Sequence, residues 1–203
     1  MLFTQNVDIK LLKLLDAIMH SSTFKAFNLV GGTSLALQIG HRISIDIDLF
    51  GISDINEIEF NKELSSLGSL TILKKSKNIL VYAINGVKVD FVNYPYPLLE
   101  KPNTINSIRM ASLKDIAAMK LNAISGRGSK KDFVDLYYLL KTFSLETMFQ
   151  FYSEKYADGS TFLALKSLSY FEDAEKEEMP IMTEKIDWQL IKHTILNEAK
   201  RLA

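Results

Sequence analysis

Asp46 and Asp48 stand two residues apart in the segment Ile43-Ser44-Ile45-Asp46-Ile47-Asp48-Leu49-Phe50. The alternation of Ile43, Ile45, Ile47 and Leu49 with Ser44, Asp46 and Asp48 predicts a β-strand with one apolar face and one acidic face. At a rise of about 3.3 Å per residue, the two Cα atoms lie roughly 6 to 7 Å apart on one side. Two hard oxygen donors at that spacing can share divalent cations, and Mg²⁺ favours one or two carboxylates completed by water and substrate phosphate. A pair of such ions can clamp an in-line displacement at phosphorus. Taken alone, the same Asp-Ile-Asp also describes a solvent-facing strand that carries two acids.

The segment before it adds a second chemistry. Phe27-Asn28-Leu29-Val30 is a short apolar run, Gly31-Gly32-Thr33 follows, and Ser34 to Gln38 are good helix formers, so the reading is strand, tight turn, helix. Glycines let backbone come close to an anion, Thr33 offers a hydroxyl, and a helix N-terminus presents N–H groups with a favourable dipole. The turn lacks the Gly-Lys-Ser/Thr ending of a P-loop, and a double glycine by itself is an ordinary turn. A third carboxylate comes from Val87-Lys88-Val89-Asp90-Phe91, where Asp90 alternates with Val89 and Phe91. If that strand pairs beside the first, three acids converge, and their repulsion argues for cations between them. On its own, Asp90 reads as a surface acid.

The elements that must position these groups follow from periodicity. Val7, Leu11, Leu14, Leu15 and Ile18 predict an amphipathic helix over 7–19. Gly40 closes the short helix after the glycine turn, and a further helix is predicted over 56–67. Strand-like runs occupy 70–74, 79–84 and 87–93, with Asn85-Gly86 as the hairpin turn because both residues tolerate positive φ. Pro95, Pro97 and Pro102 predict a surface connection over 94–108. Helices are then expected over 112–125, 130–143, 145–156, 161–171 and 187–202, and the acidic stretch 172–178 as a solvated loop or helix end. The fold class expected is α/β (α+β), a mixed sheet flanked by helices over residues 1–105, followed by a helical lobe over 106–203 that completes a cleft.

Composition narrows the functional classes. Lys and Arg total 24 against 24 Asp and Glu, so net charge gives no sign of a general nucleic-acid binder, although a local patch is compatible with it. There is no cysteine, which excludes disulfides, thiolate metal sites and a cysteine nucleophile. Residues 1–15 lack the apolar core of a signal peptide, and no stretch reaches the ~20 apolar residues of a membrane helix. A cytoplasmic protein with no membrane partner is expected.

Together the motifs are more specific than any one. Leu29-Val30-Gly31-Gly32-Thr33, a gap of twelve residues, Asp46-Ile47-Asp48 and a later hydrophobic-Asp-hydrophobic strand resemble the signature of the DNA polymerase β-like nucleotidyltransferases. Within that superfamily, Gly-Gly-Thr-Ser-Leu-Ala-Leu, the run His41 to Phe50 and the Lys120 to Asp135 segment resemble the AbiEii/AbiGii toxin family, over about residues 27–140. Gly32-Thr33 replaces the commoner Gly-Ser and keeps the hydroxyl.

The resemblance implies an enzyme that moves a nucleoside monophosphate from an NTP to a hydroxyl of RNA, such as the 3′ end of tRNA, or of protein. It also implies a cognate antitoxin. Asp46 and Asp48 would hold Mg²⁺ (or Mn²⁺) and Asp90 would help activate the acceptor, while Gly31, Gly32 and Thr33 hold the triphosphate. Arg42 and Ser44 match an Arg-x-Ser-x-Asp-x-Asp pattern and would orient the carboxylates. Leu113, Ile116, Lys120, Ala123 and Arg127 share one helical stripe, placing two cations on it. Lys120, Arg127 and Lys131 would neutralise phosphates, with Lys120 counted among the catalytic groups. Asp132 matches an acidic motif residue, or else caps its helix or pairs with Arg127; Asp135 reads as structural and His41 as incidental. Two rivals remain: a nucleotide- or partner-binding module without turnover, and an NTP-dependent kinase.

Overall fold

The computed structural model describes residues 2–202. The chain divides into two compact units. The first contains the chain up to Gly40, Ser44–Pro97 and Lys101–Ala111; the second contains His41–Ile43, Leu98–Glu100 and the chain from Ser112 onward.

In the first unit, α1 (Ile9–His20) starts where the Asp8 side chain accepts a hydrogen bond from the Lys10 N–H. It buries Leu11, Leu14, Leu15 and Ile18, the stripe that the sequence predicts. Strand β1 (Asn28–Val30) leads directly into α2 (Gly31–Ile39), and β2 (Asp46–Gly51) follows. After α3 (Glu57–Leu64), capped by Asn56, come β3 (Leu70–Lys75), β4 (Ile79–Ile84), β5 (Val87–Asn93), β6 (Asn103–Ile105) and β7 (Ile108–Met110). Among the described residues, seven strands form one mixed sheet in the order β3-β4-β5-β2-β1-β7-β6. The β2–β5 and β1–β7 pairs are parallel and the others antiparallel. At one border, β3 is largely exposed, and its pairing with β4 shifts register between Ile72 and Lys74.

One face of the sheet is the core. Leu29, Ile47, Leu49, Val89, Phe91 and Tyr82 are buried there with the α1 stripe. Phe24, Phe27, Phe60 and Phe91 meet with ring centroids 4.9 to 5.8 Å apart. Their packing, edge-on in every pair but the tilted Phe24–Phe91, holds the middle of β5 in place. Arg109 on β7 donates to the carbonyls of Met19, Phe24 and Phe27, joining the end of α1 to the sheet.

Two expectations are corrected. Regular pairing in β2 begins at Asp46 rather than Ile43, and Ile45 is 69% exposed instead of lying on the apolar face. Upstream, Arg42 bridges Met182 and Ser44 bridges Val7 as isolated contacts, so the alternation is interrupted before the acids. The stretch 94–108 is also more than a surface connection: Asn106 and Ser107 take positive φ and turn β6 into β7, which reaches β1. The prolines precede these strands, where they block no ladder bond.

The second unit is helical: α4 (Leu113–Gly126), α5 (Lys130–Leu139), α6 (Leu145–Lys155), α7 (Thr161–Ser167), α8 (Glu172–Glu175) and α9 (Trp188–Leu202). The helices α5 and α7 stop short of their predicted ends, and the acidic stretch forms the single turn α8. Ser112 opens α4 by accepting from the Asp115 N–H while its hydroxyl donates to the Asp115 carboxylate. Asp115 is fully buried against Lys155, 2.8 Å away, and also accepts from the N–H groups of Leu99 and Glu100. Every charge in that knot has a partner, as burial demands.

Candidate active site

The β2 strand presents Asp46, Asp48 and Phe50 on the side opposite its buried Ile47 and Leu49. In the parallel pairing with β5, Asp46 stands across from Lys88 and Asp48 from Asp90. Directly opposed residues share a face, so all three acids leave the same side of the sheet. The pairing of these two strands, on which a three-acid face depends, is present.

Gly31 closes one side of this face. Its φ is +66°, and a Cβ there would lie 2.5 Å from Asp48 Oδ2. Only glycine fits on both counts. Val30, which precedes α2, supplies no side-chain cap to the N–H groups of its first turn. Gly31→Ala is expected to displace the Asp48 carboxylate. Activity should fall by about 10²-fold, the scale of a 1 Å misplacement, with a thermal midpoint lower by a few degrees. Steady-state rates and a melting curve check this.

Thr33 departs from expectation. Its hydroxyl is fully buried and is bonded to Ser44 Oγ at 2.8 Å and to the Asp46 carbonyl oxygen. It ties the first turn of α2 to the start of β2 and so fixes the origin of the acidic strand. Ser44 belongs to the same tie.

Among the described residues, no three His, Asp or Glu side chains stand as a group that could hold a metal ion. Asp90 Oδ1 instead meets Lys88 Nζ at 2.6 Å. Repulsion among the acids is therefore answered in part by a lysine, which corrects the argument that the cluster itself demands metal. The donors remain suited to Mg²⁺, which needs only one or two carboxylates when phosphate and water complete its shell. The Gly31 cradle against Asp48 leaves space that a side chain would fill.

The remaining predicted residues lie in the second unit. Lys120 is buried, its ammonium 2.9 Å from Asp132 Oδ1 and 2.5 Å from Asp135 Oδ2. Arg42 donates through Nε and Nη2 to Asp135, at 2.6 and 2.9 Å, and through Nη1 to the Ile43 carbonyl. Arg42 thus forks onto the Asp135 carboxylate. Arg127 Nε and the Ser129 hydroxyl donate to Asp132, so the pairing alternative for that acid is the one observed. Lys131 is exposed. The residues missed in sequence are Lys88, whose place on the acidic face follows from alternation, and His41, which meets Asp135 at 2.7 Å.

Burial pushes the Asp135 carboxyl up, but Arg42 and Lys120 beside it, with hydrogen bonds from Arg42 and His41, hold it well below its usual range. Asp132 is likewise held low by Lys120, Arg127 and Ser129 against the upward push of burial. Burial lowers His41 from 6.5, which the neighbouring Asp135 only partly offsets. Neutral His41 donates from Nε2 to Asp135, and its buried Nδ1 has no hydrogen-bond partner among the described residues. All three groups bind fewer protons folded than unfolded, so each contributes stability that is lost on acidification. His41 acts as pH falls below 6.5, and the aspartates below 3.8. A urea midpoint that declines from pH 7 to 5 and again below pH 4 is expected; a midpoint flat across both windows would contradict the assignment.

Comparison with known proteins bears on the family and the fold. The family described as nucleotidyl transferase AbiEii toxin, type IV TA system, matches residues 13–71 and 81–201. An uncharacterized protein of Aquifex aeolicus (strain VF5) is 39% identical over 157 residues, covering 74% of this chain and 76% of its own. JHP933 from Helicobacter pylori superposes with a TM-score of 0.61 and 18% identity, over 95% of this chain and 88% of that one. The nucleotidyltransferase toxin MenT4 of Mycobacterium tuberculosis H37Rv gives 0.60 and 13%, over 96% and 83%. At these identities the two structures speak for the fold.

Proposed function

The chain belongs to the AbiEii nucleotidyl transferase toxin family, and from that premise we propose that it moves a nucleoside monophosphate from an NTP to a hydroxyl of RNA or protein. It is a nucleotidyltransferase by family and by fold. The observation that carries the finer reading is the β2–β5 register, which sets Asp90 beside Asp48 on the face that Asp46 shares.

In this reading Asp46 and Asp48 would hold Mg²⁺ or Mn²⁺, joined by Asp90 once its ion pair with Lys88 opens, and the metal would supply charge stabilisation at the attacking and leaving oxygens. The Gly31 and Gly32 backbone receives the triphosphate at the start of α2. Thr33 and Ser44 keep Asp46 in place. Asp90 helps activate the acceptor hydroxyl, whose oxygen forms a bond to the α-phosphorus while the bond to pyrophosphate breaks. Lys120 and Asp132, paired with each other in the helical unit, are assigned to holding that unit together. As a toxin of a two-component system, the protein would be restrained by an antitoxin. Among the described residues, no helix is long and apolar enough to cross a membrane.

Incubation with α- and γ-labelled NTP, Mg²⁺ and total cell RNA or protein tests the reading. Label from the α position on an acceptor, with none from γ, is the expected result. Transfer from γ would make the protein a kinase, and binding without transfer would make it a nucleotide-holding module.

A further inference from the structure

Lys88 occupies a position that the proposed chemistry leaves unassigned. It stands directly across from Asp46 in the β2–β5 register and two residues before Asp90 on β5, so its side chain leaves the same face as the three acids. Its ammonium is 2.6 Å from Asp90 Oδ1, with 42% of the lysine side chain and 20% of the aspartate side chain exposed. Lys88 and Asp46 also line a hollow of about 310 Å³, together with Lys10 and the Asn85-Gly86 turn. One cation therefore touches both a carboxylate of the catalytic set and an open space large enough for a substrate group.

We propose that Lys88 is a built-in competitor for the divalent cation, a role that rests on the transferase reading above. A carboxylate oxygen engaged by an ammonium at 2.6 Å offers less to a metal, because the like charges of the two cations repel at short range. Metal taking that oxygen must displace the ammonium. Released from Asp90, the lysine has the hollow beside Asp46 to enter, where an anionic group of nucleotide or acceptor gives it a new partner. Lys88 thereby couples metal entry to substrate: it weakens metal binding to the protein alone and supports it once phosphate is present.

Mn²⁺ titration followed by electron paramagnetic resonance, with and without a non-hydrolysable NTP analogue, reads this directly. In the absence of nucleotide, Lys88→Met is expected to bind Mn²⁺ about tenfold more tightly than the native protein. Its turnover at saturating NTP should fall by about tenfold, and Lys88→Arg should restore both values. The pairing of tighter metal with slower transfer is a signature that a structural ion pair would not give. Unchanged or weaker Mn²⁺ binding in folded Lys88→Met, verified by circular dichroism and repeated with Lys88→Gln, would overturn the proposal. Asp48→Asn and Asp90→Asn serve as references. If they lose Mn²⁺ while the lysine variants bind as the native protein does, the Lys88 role alone fails. If none of the variants alters Mn²⁺ binding, the metal reading fails with it.

Discussion

Asp48→Asn is expected to reduce nucleotidyl transfer by about 10³-fold or more, the scale associated with removing a charge that stabilises phosphoryl transfer. Asparagine keeps the shape of the side chain and removes one anionic donor. Asp48 sits at the centre of the arrangement, across from Asp90 and against Gly31. Its neighbours on the strand, Ile47 and Leu49, carry the packing and face the other way. The fold should therefore survive, with a thermal midpoint within about 3 °C of native, since a half-exposed substitution away from the core costs little. Single-turnover assays with α-labelled NTP beside a melting curve check both halves, and an Asp48→Asn protein that is folded and fully active would remove the acidic face from the mechanism.

The second large effect is on stability. Asp135 receives Arg42, Lys120 and His41, and its side chain is fully buried. Replacing it with alanine leaves two cations buried with their shared anion gone, and breaking a buried pair from one side costs about 3 to 5 kcal/mol. At about 2 to 4 °C per kcal/mol for a chain of this size, the midpoint should drop by roughly 6 to 20 °C. Lys120→Met should do less harm than Asp135→Ala, because it removes one cation from a network that keeps Arg42 and Arg127 as counterions. Calorimetry on the two variants ranks them, and the reverse order would sink this account of the network.

Most of the sheet was legible because its strands alternate cleanly. The β4–β5 hairpin followed from Asn85-Gly86, and the acidic face from the two-residue period of β2 and β5. The short strands β6 and β7 were hidden: three residues each carry too little periodicity to stand out, and prolines just before them signal a connection. Alternation misled at Ile45, because the pattern continues upstream of the point where hydrogen-bonded pairing starts. In the helical unit, spacing placed Lys120 and Arg127 on one stripe, but pairing with Asp132 depends on how α4 meets α5. The carboxylate partner of Arg42, Asp135, lies 93 residues away in sequence, beyond any local pattern. The hydroxyl of Thr33 is the same case on a smaller scale: its residue type suits phosphate, and its burial gives it to Ser44 and Asp46.

The exposed border strand β3 bears on a property unrelated to catalysis. A strand with open N–H and C=O groups invites another chain to add itself there, and the apolar Ile72 and Leu73 would strengthen such an attachment. Lys74 and Lys75 on the same strand, with Lys77 just after it, would set like charges against like in any such pairing between two copies. The register shift between Ile72 and Lys74 spoils the straight ladder that stacking requires. Like charges and an interrupted ladder thus oppose edge-to-edge pairing of two copies at this border.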